Sequence, residues 1–278
     1  MQHPARKPSE RELFPVLPPV IPSVFMIGIR LNREAVPSFE EYPFCIPAIR
    51  NLTRLDFHPQ VTFLVGENGS GKSTLMEAIA LKLGFNPEGG GRDLSFSTHG
   101  THSNLHESIT LERGPGRMTD GYFLRAESFY NVASEIERAE EEFPSRGPSY
   151  RAYGGKSLHA QSHGEAFLSL LCNRLQGGGV YLFDEPESAL SPQRQLSVLP
   201  LIHRLVRHRS QLLIATHSPI LLAYPHARIF HLSEHGIAPI AYTETEHYLI
   251  TRDFLNRHER MIELLIEEEE KDLKSKER

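Results

Sequence analysis

Between Val24 and Tyr242 short β-branched or aromatic runs alternate with longer stretches of helical period, the order expected of an α/β fold. Val24–Leu31 predicts a first strand, and Asn51–Phe57, with Leu52, Leu55 and Phe57, a second. Val61–Val65 predicts a buried strand, followed by a helix carrying Leu75, Ile79 and Leu83 on one face. Glu107–Glu112 and Tyr122–Ala126 alternate like strands around a Gly114-Pro115-Gly116 turn. Phe129–Glu142 predicts a helix with an acidic, solvated face. A helix from Ser162 through Leu175 stops at Gly177-Gly178-Gly179 and leads into the apolar run Val180–Phe183. Ser191-Pro192 places an N-cap before a proline at the first helical position, opening a helix to about Arg209 with a kink at Pro200. Gln211–Ala215 predicts the next strand. Arg228–Leu232 and Ile237–Tyr242 predict a closing hairpin, and the tail from His247 a helix ending at Glu267–Glu270.

The remaining segments lack a period. Residues 1–22, rich in proline and charge, predict a flexible leader. Residues 86–106 predict a loop whose His99, His102 and His106 fit either a metal site or a solvated surface. The expected organisation is a leader (1–22), one catalytic domain (23–245) with a short helical insertion at about 128–160, and a C-terminal helical tail (246–278).

Composition narrows the class. A chain of 278 residues is long enough for one large α/β domain, and a net charge of -5 supplies no global basic field for nucleic acid or anionic lipid. Cys45 and Cys172 form no C-x-x-C pattern, which fits a reducing, cytoplasmic setting without disulfide or zinc. No apolar run approaches the roughly 18–20 residues that span a bilayer, and Pro15, Pro18, Pro19 and Pro22 break up the first apolar stretch, so no secretory leader is expected.

The chemistry concentrates where the strand at Val61–Val65 meets its helix. Gly66-Glu67-Asn68-Gly69-Ser70-Gly71-Lys72-Ser73, followed by Thr74, is the phosphate-binding loop G-x-x-x-x-G-K-[ST] in its strand–turn–helix context. Its glycines let backbone N–H groups converge on phosphate oxygens, and the helix N-terminus adds positive potential. Lys72 is expected to reach the β- and γ-phosphates and the Ser73 hydroxyl to ligate Mg²⁺. Four apolar residues then lead into Asp184-Glu185. This is a Walker B element, with Asp184 as a metal ligand and Glu185 as the base or orienter of the attacking water. His217, at the end of the next strand, is placed to sense the γ-phosphate. A GTPase or small-molecule kinase would share only the P-loop, and the chain has no Asn-Lys-x-Asp motif.

The order P-loop, Ser162-x-Gly164-Glu165, Asp184-Glu185, His217 resembles the ATP-binding-cassette (ABC) ATPases over most of residues 50–220. The fold so implied is a P-loop three-layer α/β sandwich with an antiparallel β subdomain and a short helical insertion. Gln161–Glu165 stands where the family has Leu-Ser-Gly-Gly-Gln, with leucine, the first glycine and the last glutamine replaced. These departures, a D-loop-like Ser188–Ser191 and Glu185-Pro186-Glu187 look like the SMC/RecF-like branch rather than the transporter motors. The resemblance implies that Ser162, Gly164 and Glu165 contact ATP held by a second subunit, so that two chains form an ATP-dependent homodimer around two nucleotides. At the position of the family's Q-loop glutamine stands Glu127, either a metal ligand or a helix-start acid. Tyr42, Phe44 and Phe57 are expected in the core, although one aromatic of this region could stack on adenine. Arg194, Arg204, Arg207 and Arg209 fit either a nucleic-acid contact or a solvated helix face. The expected activity is ATP hydrolysis by a switch acting on DNA or a protein partner in repair or defence. The alternative is the motor subunit of a membrane transporter.

Overall fold

The computed structural model describes residues 23–92, 103–142, 155 and 160–276. The expected leader, His99, His102 and the later part of the insertion lie outside them. Along the chain run β1 (Met26–Leu31), α1 (Pro47–Arg50), β2 (Arg54–Asp56), β3 (Val61–Val65), α2 (Lys72–Leu83), α3 (Leu105–Ser108), β4 (Ile109–Arg113), β5 (Asp120–Arg125) and α4 (Phe129–Glu142). There follow α5 (His163–Ser169), β6 (Gly179–Asp184), α6 (Pro192–Arg207), β7 (Gln211–Ala215), α7 (Pro219–Leu222), β8 (Arg228–Ser233), β9 (Gly236–Ile240) and α8 (Glu246–Lys276).

The main sheet has the order β5-β6-β7-β3-β8-β9, parallel except for the antiparallel edge strand β9. Its central strands are buried on both faces, because alternate residues feed two separate cores. Val61, Phe63, Tyr122, Tyr181, Phe183, Leu212 and Ile214 pack against α4, α5, α6 and α7. Leu64, Phe123, Leu182, Leu213 and Ala215 pack on the other side against α2 and a small antiparallel sheet, β2-β1-β4. The result is the expected three-layer α/β sandwich with an antiparallel subdomain. Gln211 joins the two sheets. Its side-chain carbonyl accepts from the N–H groups of Phe25 and Met26, and its amide donates to the carbonyls of Met26 and His58.

Four local expectations change. The runs around Gly114-Pro115-Gly116 form no hairpin, since β4 pairs with β1 in the small sheet and β5 with β6 in the large one. The N–H groups of Gly114 and Gly116 donate to Phe25 and Val24, so the segment extends the β1–β4 ladder before crossing between sheets. The helix begun at Ser162 widens into a π-helix over Leu170–Arg174, and Arg204 caps the carbonyls of Leu171 and Cys172. Arg204 is therefore spent on structure rather than on a ligand. The last helix does not stop at Glu270 but continues to Lys276, with Lys274 and Glu270 paired one turn apart. Tyr42 leaves the expected core while Phe44 and Phe57 remain buried.

Candidate nucleotide-binding site

The carboxyl ends of β3, β6 and β7 lie side by side, so the P-loop, Asp184-Glu185 and Thr216-His217 converge on one edge. The P-loop turn needs glycine at specific points. Gly66 and Gly71 have φ of 149° and 97°, and a Cβ on Gly66 would stand 2.4 Å from the Leu232 carbonyl oxygen. Lys72 opens α2, is 4% exposed, and donates to the carbonyls of Gly66 (2.8 Å) and Glu67 (2.9 Å). Among the described residues no carboxylate lies within ion-pair distance of it. Burial lowers its pKa, while Glu185, Asp184 and Glu187 pull the other way. The buried Ser70 hydroxyl has no partner. A buried cation and an orphan hydroxyl beside a glycine turn are what a bound phosphate would satisfy.

The Ser73 hydroxyl donates to Asp184 Oδ1 at 3.2 Å, joining the start of α2 to the end of β6. Burial pushes the Asp184 carboxyl up to about 6, against the lowering effect of Arg125 and the Ser73 hydroxyl. A hard divalent cation at this hydroxyl–carboxylate pair would relieve that desolvated acid, so the donor set fits Mg²⁺. Glu185 follows in a left-handed conformation (φ 50°) and stands with its Oε1 3.6 Å from Nε2 of His217. An open cleft of about 670 Å³ runs past Ser73, Asp184 and Glu185 to Ser188–Ser191. Glu127 lines the same cleft but is mostly exposed and pairs with Arg125 at 3.3 Å.

Several participants were not anticipated. Arg125, the last residue of β5, donates to Glu77 of α2 (3.0 Å) and points its Nε at Asp184 (3.8 Å). Glu187 accepts from the Thr216 hydroxyl (2.7 Å) and the His217 N–H (2.5 Å), clamping the loop that carries His217. Its only signal was a second acid two residues beyond Glu185. Ser218 donates to Gln195 (2.6 Å), whose amide caps the Leu190 carbonyl, so α6 ties the same loop to Ser188–Ser191. Tyr42, 64% exposed, meets the hydroxyl of Thr74 at 3.2 Å and is the aromatic beside the P-loop. His247, at the start of α8, lies with Nε2 2.9 Å from Nδ1 of His217. The expected tail is part of the site.

Ser162 and Glu165 sit elsewhere. The Glu165 carboxylate accepts from the N–H and hydroxyl of Ser162 and lies 3.6 Å from Arg194. Gly164 is hemmed in, since a Cβ there would meet Arg194 Nη1 at 2.4 Å and the Ala189 carbonyl at 2.9 Å. None of the three residues lines the clefts around the P-loop. Among the described residues no cluster of three or more His, Cys, Asp or Glu is arranged to hold a metal, His106 included, and no helix is long and apolar enough to cross a membrane.

Fold and site together define an ATPase-type P-loop domain, in which the P-loop, Asp184-Glu185 and His217 converge at one edge of the sheet. Two family models match, an AAA domain over residues 42–146 and an AAA domain described as a proposed AbiEii toxin of a type IV TA system over 166–223. No curated protein matches the chain. Similar solved structures include a proposed metal-chelate type ABC transporter in an inward-facing conformation (16% identity, 82% of this chain, 88% of that one, TM-score 0.47). Others are the SMC head domain from Thermotoga maritima (18%, 68% and 93%, 0.38) and the ADP conformation of an ATP-binding cassette of an ABC transporter (16%, 67% and 82%, 0.42). With TM-scores below 0.5, these likenesses carry no functional inference.

Proposed function

We propose that the protein binds and hydrolyses ATP as a homodimeric switch. The observation that carries this reading is the Ser73–Asp184 contact with Glu185 and His217 beside it, facing a P-loop whose lysine is buried and, among the described residues, in no ion pair. Lys72 and the P-loop N–H groups hold the phosphates, and Tyr42 offers its ring to the adenine. Ser73 and Asp184 would hold Mg²⁺, which when bound supplies positive charge against the phosphates. Glu185 orients the attacking water, and His217 donates to the γ-phosphate.

The separation of Ser162, Gly164 and Glu165 from the P-loop clefts supports the dimer. In the ABC arrangement those residues complete the site of the other subunit, and a single chain leaves its site open. ATP touching both halves only when closed makes closure ligand-driven, and hydrolysis reverses it. A role in defence is consistent with the toxin–antitoxin name attached to the second family model, and a role in DNA repair is left to the DNA-stimulation test. The test is ATP turnover by the purified protein with and without double-stranded DNA, together with light scattering of Glu185→Gln. The variant is expected to accumulate as an ATP-bound dimer; a monomer at saturating ATP would sink the switch. Turnover stimulated by DNA supports a nucleic-acid target, and turnover indifferent to it points to a protein partner.

A further inference from the structure

His217 lies two residues past β7 and His247 in the first turn of α8, and the two rings meet through one hydrogen bond of 2.9 Å with centroids 5.1 Å apart. Two arrangements of protons satisfy that bond. In the first, His217 Nδ1–H donates to His247 Nε2. The His247 proton then sits on Nδ1, a buried atom with no partner, and the lone pair of His217 Nε2 faces the Glu185 carboxylate 3.6 Å away. In the second, His247 Nε2–H donates to His217 Nδ1. The His217 proton then sits on Nε2, facing the Glu185 carboxylate at 3.6 Å, and the buried His247 Nδ1 carries a lone pair. Each arrangement leaves one buried N–H without a hydrogen bond, so the carboxylate decides: it attracts an N–H on His217 Nε2 and repels a lone pair there, and the second arrangement is favoured. Burial, with His217 and Lys72 nearby, holds the His247 pKa below its ordinary value, which keeps it neutral with a single proton to place.

The pairing is built into the fold. The Tyr242 hydroxyl donates to the Pro219 carbonyl at 3.0 Å, fixing the entry to α8 against the segment just after His217. Thr245 caps the helix, its oxygen accepting from the Tyr248 N–H, and the Tyr242 and Tyr248 rings pack 4.8 Å apart. The Glu187 clamp holds the His217 backbone from the other side.

We propose that His247 is a positioning residue that fixes His217 in the tautomer carrying its proton on Nε2, the form able to donate to a γ-phosphate. This rests on the ATPase reading for its purpose, but the tautomer itself can be read without nucleotide. The measurement is ¹⁵N NMR of histidine-labelled, nucleotide-free protein, with the His217 resonances assigned by their loss in His217→Gln. Wild type is expected to show His217 protonated on Nε2. His247→Phe, which keeps a ring but has no donor, is expected to shift His217 toward the Nδ1–H form, and His247→Gln, whose amide can donate, to restore it. In turnover, His247→Phe is expected to lower kcat about tenfold with KM for ATP within about twofold, and His247→Gln to recover most of the loss. A wild-type His217 protonated on Nδ1 overturns the proposal whether or not any variant folds, and so does a tautomer unchanged between wild type and His247→Phe. A tautomer that shifts as expected in a protein that hydrolyses no ATP upholds the role of His247 and rejects the ATPase reading instead.

Discussion

The two ends of the β5–β6 pair each carry a charged cluster, and the clusters are built on opposite rules. At the amino end Asp120 accepts from the Tyr181 hydroxyl (2.6 Å), Arg174 (2.9 Å) and the Gln176 N–H (3.2 Å), while the Tyr181 oxygen accepts from the Gly177 N–H. Burial alone would raise the Asp120 carboxyl, yet those hydrogen bonds and the Arg174 charge hold it below the usual carboxylate range. Five residues along the same strands, Asp184 is pushed the other way, to about 6. At this end of the sheet Arg125 Nε, Ser70 Oγ and His217 Nε2 are buried and, among the described residues, without hydrogen-bond partners. A polar network that closes on itself stabilises the fold. One that leaves donors and a desolvated acid turned toward a cleft is prepared for a ligand.

Substitutions should separate the two. Lys72→Ala is expected to cut ATP turnover by at least about 10²-fold, while changing unfolding free energy by no more than about 1 kcal/mol. Phosphate release and thermal melting check this, and a collapse of stability with turnover would erase the distinction. Asp120→Ala should do the reverse. It removes the shared acceptor of Arg174, the Tyr181 hydroxyl and the Gln176 N–H and is expected to cost about 3 kcal/mol, with turnover per folded molecule unchanged below the melting temperature. Because the folded pKa of Asp120 is depressed, its contribution is complete above its ordinary value of about 4 and fades as pH falls through the folded value. The stability gap between wild type and Asp120→Asn should therefore stay constant above the ordinary carboxylate value and narrow as pH falls below about 4. Tyr181→Phe, removing one hydroxyl from the closed network, is expected to cost about 1 kcal/mol in chemical denaturation and nothing in turnover.

What the chain revealed in advance follows from locality. The P-loop, Asp184-Glu185 and His217 are each written in a few adjacent residues at strand ends, where period and motif coincide. The pairing of β4 and β5 is not local. Alternation around Gly114-Pro115-Gly116 tells that two strands exist but not which sheet each joins, and that choice was made by Val24 and Phe25, some ninety residues earlier. Glu187 entered only as part of Glu185-Pro186-Glu187 and Gln195 gave no signal at all, because their partners, Thr216–Ser218, come later in the chain. His247 lay in a stretch whose charge pattern described only solvated helix, and no spacing rule links it to His217. Tyr42 was assigned to the core on residue type, yet Phe44 two positions on took the buried place.

Beyond its root, α8 has no buried residue. Its 31 residues, at roughly 1.5 Å per residue, make about 46 Å of helix along the chain, divided into two segments by a kink at Arg257. Its root carries the His217–His247 hydrogen bond, so any coupling between the outer segment and the nucleotide would run through the Tyr242–His247 joint. Such coupling is reciprocal. A partner that gripped the outer half of α8 and favoured one nucleotide state would change the affinity at the P-loop by the same factor that nucleotide changes its own.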